Sequence, residues 1–376
     1  MPTATHICII GAGPAGSVAA AGLAHAGVRV TILESRVFPR VKVCGEYISP
    51  AATAILESLI PPRKLLAAGA RRVVEMVLEV DGRRSRWRSP SPAWSLSRST
   101  LDDLLLERAR ESGASVLQPA VVRRVNYGDA GAEVLLADGR TLDADLIVHA
   151  DGCGRHDPAG AVPLAPNLIA HKCHLRLPED GDAIVMRACP GAYVGTIGVE
   201  GGLATCALVA RRDLMADFPQ TDALVQHLWP QFHTGWRTTG WKSCGVPRSR
   251  YITPGAARSI RIGNAAAAVD PVGGEGIGLA LQAGAVLGEC GDALRRLAAM
   301  ERPYQETLLS RVEQRIAREY RTRLRTRLPI CQLAAWLLMR PTLVRALWPL
   351  ALRPSLSFQP FYRLTGKDER AHRPAA

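Results

Sequence analysis

The chain begins with a largely apolar run, His6 to Ile10, that stops at a glycine. Five such residues without polar alternation predict a parallel strand covered on both faces. Pro14 to about Ala24 then reads as a helix, with proline in the first turn, where a missing N–H costs nothing. Val28 to Leu33 is a second apolar strand, closed by Glu34. Further on, Val73 to Val80 before Asp81-Gly82 predicts a strand and a turn. Gly195 to Ala210 reads as a hairpin turning at Glu200-Gly201-Gly202. A short strand ends at Gly263, a loop of glycine and proline follows, and a small-residue helix begins near Gly276 and runs past Ala285. Glu301 to Arg327 has a helical pattern. The apolar stretch Leu328 to Leu352 that follows is broken by Pro341 and Pro349.

The first strand, helix and strand make a βαβ unit around Gly11-Ala12-Gly13-Pro14-Ala15-Gly16. A GxGxxG loop in this context binds a dinucleotide for physical reasons. Gly11 permits the tight turn, Gly13 lets a pyrophosphate approach the backbone, and Gly16 lets helix and strand pack closely. The helix N-terminus offers free N–H groups and partial positive charge to the phosphates. Glu34 lies 18 residues beyond Gly16 and can accept hydrogen bonds from ribose hydroxyls, with Ser35 and Arg36 beside it. A carboxylate there disfavours a 2′-phosphate. The loop by itself does not separate NAD from FAD.

The segment from Ile260 to Ala285 makes that separation. Its strand, Asn264, the loop Asp270-Pro271-Val272-Gly273-Gly274-Glu275-Gly276-Ile277-Gly278 and the helix resemble the flavoprotein hydroxylase and geranylgeranyl reductase superfamily. Three other stretches resemble it in the same order. Arg36 to Pro50, with Lys42-Val43-Cys44-Gly45-Glu46, is similar to the Lys-x-Cys-Gly segment of geranylgeranyl reductase-like proteins. It is closer still to a bacterial subgroup found with type III polyketide synthases. Arg98-Ser99-Thr100-Leu101-Asp102 resembles the helix that contacts the flavin nucleotide. Leu146 to Gly152 resembles the strand ending in Ala-Asp-Gly, here Ala150-Asp151-Gly152, and is followed by Cys153-Gly154-Arg155.

The resemblance implies an α/β fold in which a Rossmann-like FAD-binding domain is interleaved with a mostly antiparallel substrate sheet, plus C-terminal helices. The FAD domain would comprise residues 1–71, 97–165 and 252–300. The substrate domain would comprise 72–96 and 166–251, and a helical region 301–376. It also implies that Asn264, where the family carries Asp, binds the ribityl chain, and that the 270–278 loop lies along the pyrimidine side of the flavin.

Composition changes the picture little. The 376 residues carry 47 basic and 34 acidic side chains, a formal charge of +13. That balance suits anionic partners, but no DNA- or RNA-recognition motif accompanies it, so nucleic acid is not expected. Nine cysteines at irregular spacing, with no CxxC, point to a reducing, cytoplasmic setting. His171, Cys173 and His174 read as a strand segment, and no metal is expected. No stretch reaches the roughly 18 uncharged apolar residues of a membrane span. The basic and apolar C-terminal region is expected as a helical cap on the FAD domain, with contact to an anionic membrane surface as the alternative.

The reaction is open on sequence. Hydroxylation of a hydrophobic polyketide-, phenol- or isoprenoid-like molecule ranks first, with NADPH or NADH as external reductant. Carbon–carbon double-bond reduction ranks second. Halogenation ranks low, because the Trp-x-Trp-x-Ile-Pro pattern is absent. A non-catalytic, electron-shuttling flavoprotein is the alternative of a different class. Cys44 is the candidate proton donor or redox thiol, and Glu46 and Glu275 are candidate general acids.

Overall fold

Apolar side chains on both faces draw five strands into one parallel sheet. The strands lie in the order Ser259–Arg261, Leu146–His149, His6–Ile10, Arg29–Leu33 and Ser115–Leu117. His6–Ile10 is buried throughout at the centre. Parallel pairing places every carboxyl end on one edge, where open α/β sheets bind ligands. The glycine loop, Glu34, Asp151-Gly152 and Gly263-Asn264 therefore leave the sheet side by side, although about 250 residues separate the first from the last. This computed structural model describes residues 4–152, 163–178, 183–218, 220–251, 258–353, 358–365 and 367. The Cys153 to Asp157 continuation of the Ala-Asp-Gly motif lies outside them.

Four helices build or brace the ligand edge: α1 (Pro14–His25), α2 (Arg98–Glu111), α3 (Gly276–Gly288) and α4 (Arg302–Leu338). Helices α1 and α3 cross almost backbone to backbone. A Cβ on Gly22 would stand 2.6 Å from the Gly288 Cα, and one on Gly284 would stand 2.6 Å from the Ala15 carbonyl oxygen. This explains the small-residue composition of the second helix. It also binds the early and late segments of the domain into one core with Ala19, Leu23 and Leu287.

The second sheet has eight strands. Their order is Lys242–Pro247, Leu164–Leu175, Leu203–Arg211, Ala192–Val199, Ala183–Cys189, Arg71–Val80, Arg83–Ser95 and Tyr47–Ile48. Every pairing is antiparallel except that of Ala183–Cys189 with Arg71–Val80. The Asp81-Gly82 turn has both residues left-handed, φ 47° and 77°. That is the backbone a two-residue hairpin turn requires. One face of the sheet is covered by the helix Thr221–Leu228, whose Leu224, Val225 and Leu228 pack on Cys173, Cys206 and Leu208. The other face looks toward the FAD domain.

Helix α4 joins both layers. Val312, Ile316, Tyr320 and Leu324 pack into the first core, and Ala335 and Leu338 pack beside Tyr193 and Val209 of the large sheet. The sequence pattern predicts a change of character at Leu328, yet the helix runs unbroken through Pro329 to Leu338. Pro329 and Arg325 both lie on the exposed face, so the carbonyl that loses its N–H partner can be satisfied by water. No helix among the described residues is long and apolar enough to cross a membrane.

The crossing of α1 and α3 makes a direct prediction. Gly22→Val should destabilise the protein by about 1–3 kcal/mol through overpacking, read as a lowered midpoint in thermal or urea unfolding. Gly82→Asn, in an open turn with nothing within 4 Å of its Cβ position, should leave that midpoint nearly unchanged.

Candidate functional site

The cleft between the two sheets is marked by three glycines that neither backbone nor packing demands. Gly13, Gly45 and Gly276 lack the left-handed φ that would call for glycine. A Cβ at Gly13 would meet only the Arg40 Nη2 at 3.9 Å, and one at Gly45 or Gly276 would meet nothing within 4 Å. Gly11 and Gly16 differ: φ is 101° at Gly11, and a Cβ on Gly16 would stand 2.0 Å from the Gly11 carbonyl oxygen. The loop is thus tight where helix meets strand and open where a ligand can approach. Gly13 and Glu275, the caps of α1 and α3, make no side-chain capping bond, and neither first turn holds an acid. Two helix N-termini therefore present unsatisfied N–H groups to the same cleft.

Side chains of alternating sign line the way between them. Glu34 is buried and accepts from the Ala12 N–H at 3.0 Å and the Arg36 N–H at 2.9 Å; the Ser35 hydroxyl donates to it at 3.3 Å. Arg40 lies 3.6 Å from Glu34 and 3.2 Å from Asp102. Asp102 also takes a bidentate pair from Arg98, with both bonds at 2.7 Å. Burial opposes the charge of Arg98, but the Asp102 carboxylate more than offsets it and raises the guanidinium pKa. The Cys44 Sγ lies against the same guanidinium and accepts from the Glu46 N–H at 3.4 Å.

Glu46 is the hub of the far side. It is fully buried, and its backbone is left-handed at φ 59°, a strained geometry for a residue with a side chain. Four donors converge on its carboxylate: the Arg98 N–H at 2.6 Å, the His174 Nε2 at 2.9 Å, the Lys172 Nζ and the Thr205 hydroxyl. Burial pushes its pKa up. The His174 hydrogen bond and the Lys172 charge outweigh burial and hold it at about 2. Glu46 is therefore ionised at any working pH, which corrects the expectation that it is a general acid.

Glu275 also faces buried cations. It too is fully buried, and its carboxylate faces the Arg327 Nη1 at 3.1 Å and the Lys367 Nζ at 3.5 Å. Lys367 also donates to the Gly273 carbonyl at 2.8 Å. The carboxylate points into the C-terminal region and ties the 270–278 loop to α4. Within that loop, Asp270 accepts from the Tyr193 hydroxyl at 2.8 Å and from the Val272 N–H at 3.0 Å, while burial raises its pKa. Gly274 is left-handed, and a Cβ there would stand 2.6 Å from the Tyr47 ring. Ile277 is buried, and Asn264 is exposed at the sheet edge.

The structure thus brings Gly11 to Gly16, Glu34, Arg98 and Cys44 to Glu46 into one connected system. Asp151-Gly152 and Asn264 leave the same edge, and the 270–278 loop joins them through Tyr47. Lys172, His174, Thr205 and Arg40 were not anticipated as site residues, and Asp102 entered only as the last residue of the Arg98 motif. Among the described residues, no group of three or more His, Cys, Asp or Glu could hold a metal ion.

A Rossmann-type dinucleotide cleft facing a large, mostly antiparallel sheet defines a flavoprotein oxidoreductase. Residues 4–156 match the FAD binding domain family model. A menaquinone reductase of Mycolicibacterium smegmatis is 30% identical over 338 residues, 77% of this chain and 76% of that protein. A geranylgeranyl bacteriochlorophyll reductase-like protein of Thermoplasma acidophilum superposes with a TM-score of 0.77 at 18% identity, covering 96% of both chains. PqsL, a probable FAD-dependent monooxygenase of Pseudomonas aeruginosa, does so at 0.72 and 18% identity, covering 92% of this chain and 100% of that one. The chain belongs to the FAD-dependent flavoprotein oxidoreductases and is an enzyme of that family.

This geometry can be probed at Gly13 and at Glu46. Gly13→Val fits the open space above α1, so it should fold with an unchanged unfolding midpoint yet purify without bound flavin absorbance. Glu46→Gln leaves the Lys172 charge buried and uncompensated, which should cost about 3–5 kcal/mol in urea unfolding at neutral pH. The Glu46 pKa is lowered from 4.5 to about 2 on folding. Its contribution to stability is therefore full above pH 4.5 and is lost as pH falls toward 2. The parent protein should lose stability across that acid window, and the variant should show a shallower acid limb.

Proposed function

We propose that this enzyme reduces a carbon–carbon double bond in a hydrophobic small molecule of isoprenoid or quinone type, using FAD and a reduced nicotinamide nucleotide as external reductant. The N–H groups of the first turn of α1, with Arg40 and Arg98, would hold the pyrophosphate, and Glu34 the adenosine ribose. Asn264 would take the ribityl hydroxyls, and the backbone from Gly273 to Ile277 the pyrimidine edge. Asp151-Gly152, leaving the same strand edge, would complete the dinucleotide site. When bound, the flavin supplies hydride transfer, chemistry that no side chain can provide.

The observation that carries this reading is the placement of Cys44. Adding hydride to one carbon of a double bond requires a proton at the other. Glu46 is held ionised by buried donors and Glu275 is fully buried, whereas Cys44 is half-buried beside the open Gly45. The Arg98 guanidinium against its sulfur would stabilise the thiolate left after proton donation. Lys172, His174 and Thr205 fix Glu46, and Glu46 fixes the turn that aims Cys44. The similarity to a menaquinone reductase extends over three quarters of both chains and supports reduction. The likeness to a monooxygenase is one of fold, so hydroxylation, ranked first on sequence, becomes the second reading.

Incubated anaerobically with a polyprenyl quinone and chemically reduced flavin, the enzyme should yield a product that still carries two extra hydrogen atoms by mass spectrometry after its ring is reoxidised to the quinone, which separates a saturated side-chain double bond from a quinol. A product that forms only in air and carries oxygen would restore hydroxylation. Flavin reduced only by a partner protein, with no turnover of any small molecule, would point to an electron shuttle. Cys44→Ala should lower kcat by about a hundredfold while flavin content stays unchanged; unaltered kcat would remove Cys44 from the chemistry.

A further inference from the structure

From Tyr320 to Lys367 the chain contains no aspartate or glutamate, yet it carries eight arginines and one lysine. Exposed apolar side chains concentrate in the same stretch. Of the thirteen large apolar residues exposed in the described structure, six fall between Leu333 and Leu352. Scattered singly such residues need no explanation, but a cluster does. Trp336 is 47% exposed at the end of α4, and the short helices Pro341–Ala346 and Trp348–Ala351 with their flanks expose Leu343, Leu347 and Leu350 at 37%, 43% and 45%.

The charges share that surface. Arg311, Arg318, Arg325, Trp336 and Arg340 are all exposed, and their spacing of 7, 7, 11 and 4 residues puts them on one stripe along α4 and its C-terminal end. The Arg340 guanidinium lies 4.2 Å over the Trp336 ring, so the cation and the largest exposed apolar group form a single feature. The reverse sides of these segments are committed inward. Leu338, Val344 and Trp348 pack with Tyr193 and Val209 on the flavin-facing side of the large sheet.

We propose that this C-terminal face docks the enzyme on an anionic lipid bilayer, with the arginine stripe at the headgroups and the tryptophan and leucines at the acyl boundary. Leucines beside tryptophan, basic side chains, a 48-residue absence of acid and helices broken at Pro341 and Pro349 together suit a surface that lies in the plane of a membrane. The same face of a second copy fits less well, because the two stripes would bring cation against cation. The proposal does not depend on which reaction the flavin performs.

The test uses the full-length, flavin-loaded protein and sedimentation with large vesicles. Vesicles of phosphatidylcholine and phosphatidylglycerol in equal parts should pellet the enzyme at low salt. Vesicles of phosphatidylcholine alone, or high salt, should release most of it. Arg325→Gln with Arg340→Gln should weaken binding roughly thirtyfold, since each arginine near an anionic surface contributes about a fivefold change. Leu347→Asp with Leu350→Asp should abolish it while flavin content and thermal midpoint stay unchanged, which separates lost docking from lost folding. No binding at low salt, or equal binding to both vesicle types, would overturn the proposal. So would concentration-dependent dimerisation that Leu347→Asp abolishes, because the surface would then belong to a second copy.

Discussion

One buried carboxylate holds the two halves of this enzyme in register. Glu46 sits where the FAD domain meets the large sheet, and its four donors come from both sides. The Arg98 N–H belongs to the start of α2, and Lys172, His174 and Thr205 belong to strands of the sheet. Lys172 is 2% exposed, so its charge has no other outlet. Breaking a buried pair costs far more than forming one gains. The cluster therefore acts chiefly as a specifier: one relative position of the domains satisfies it, and sliding the Leu164–Leu175 strand by one residue would turn Lys172 and His174 to the opposite face. The left-handed backbone at Glu46 is the local strain this arrangement maintains, and Cys44 takes its position from that turn.

The charges along the cleft have a similar logic. Arg40 and Arg98 alternate with Glu34 and Asp102, so these four side chains sum to zero. A pyrophosphate brought between them gains little net Coulomb attraction from the side chains alone. Its charge would be met mainly by the uncapped N–H groups of α1, which carry no titratable proton at working pH. The role left to the arginines is geometric. Asp102 holds Arg98 in a bidentate fork at 2.7 Å, so the guanidinium is oriented before any ligand arrives. Preorganisation of this kind reduces the ordering cost of binding.

The dinucleotide half of the site was legible in the sequence because it is built from local rules. A glycine loop between strand and helix, an acid at the next strand end and a second glycine loop before a small-residue helix each follow from the contacts of neighbouring residues. Parallel pairing then fixes which ends meet. Lys172, His174 and Thr205 follow no such rule. They lie more than a hundred residues from Glu46, on strands whose neighbours are apolar or small. The one available signal was Lys172 and His174 at alternate positions of the Leu164–Leu175 strand. A period-two pair of that kind puts a lysine and a histidine on one covered face, and a buried lysine demands a counter-charge. The partners of Glu275 were out of reach for the matching reason: Arg327 and Lys367 lie in a C-terminal region whose packing no motif announces.

Two acids that looked available are thus consumed by structure, and this narrows the chemistry more than any motif does. A carboxylate held near pKa 2 by buried donors cannot release a proton at neutral pH. Glu275 is fully buried facing a guanidinium at 3.1 Å and an ammonium group at 3.5 Å. Both instead shape the cleft: Glu46 sets the turn on one wall, and Glu275 anchors the loop on the other through α4. Between them stands a half-buried thiol whose sulfur touches an N–H and a cation, with open space beside Gly45. With Glu46 and Glu275 serving as scaffolding, the proposed reduction draws its proton from Cys44, the thiol this geometry leaves at the opening.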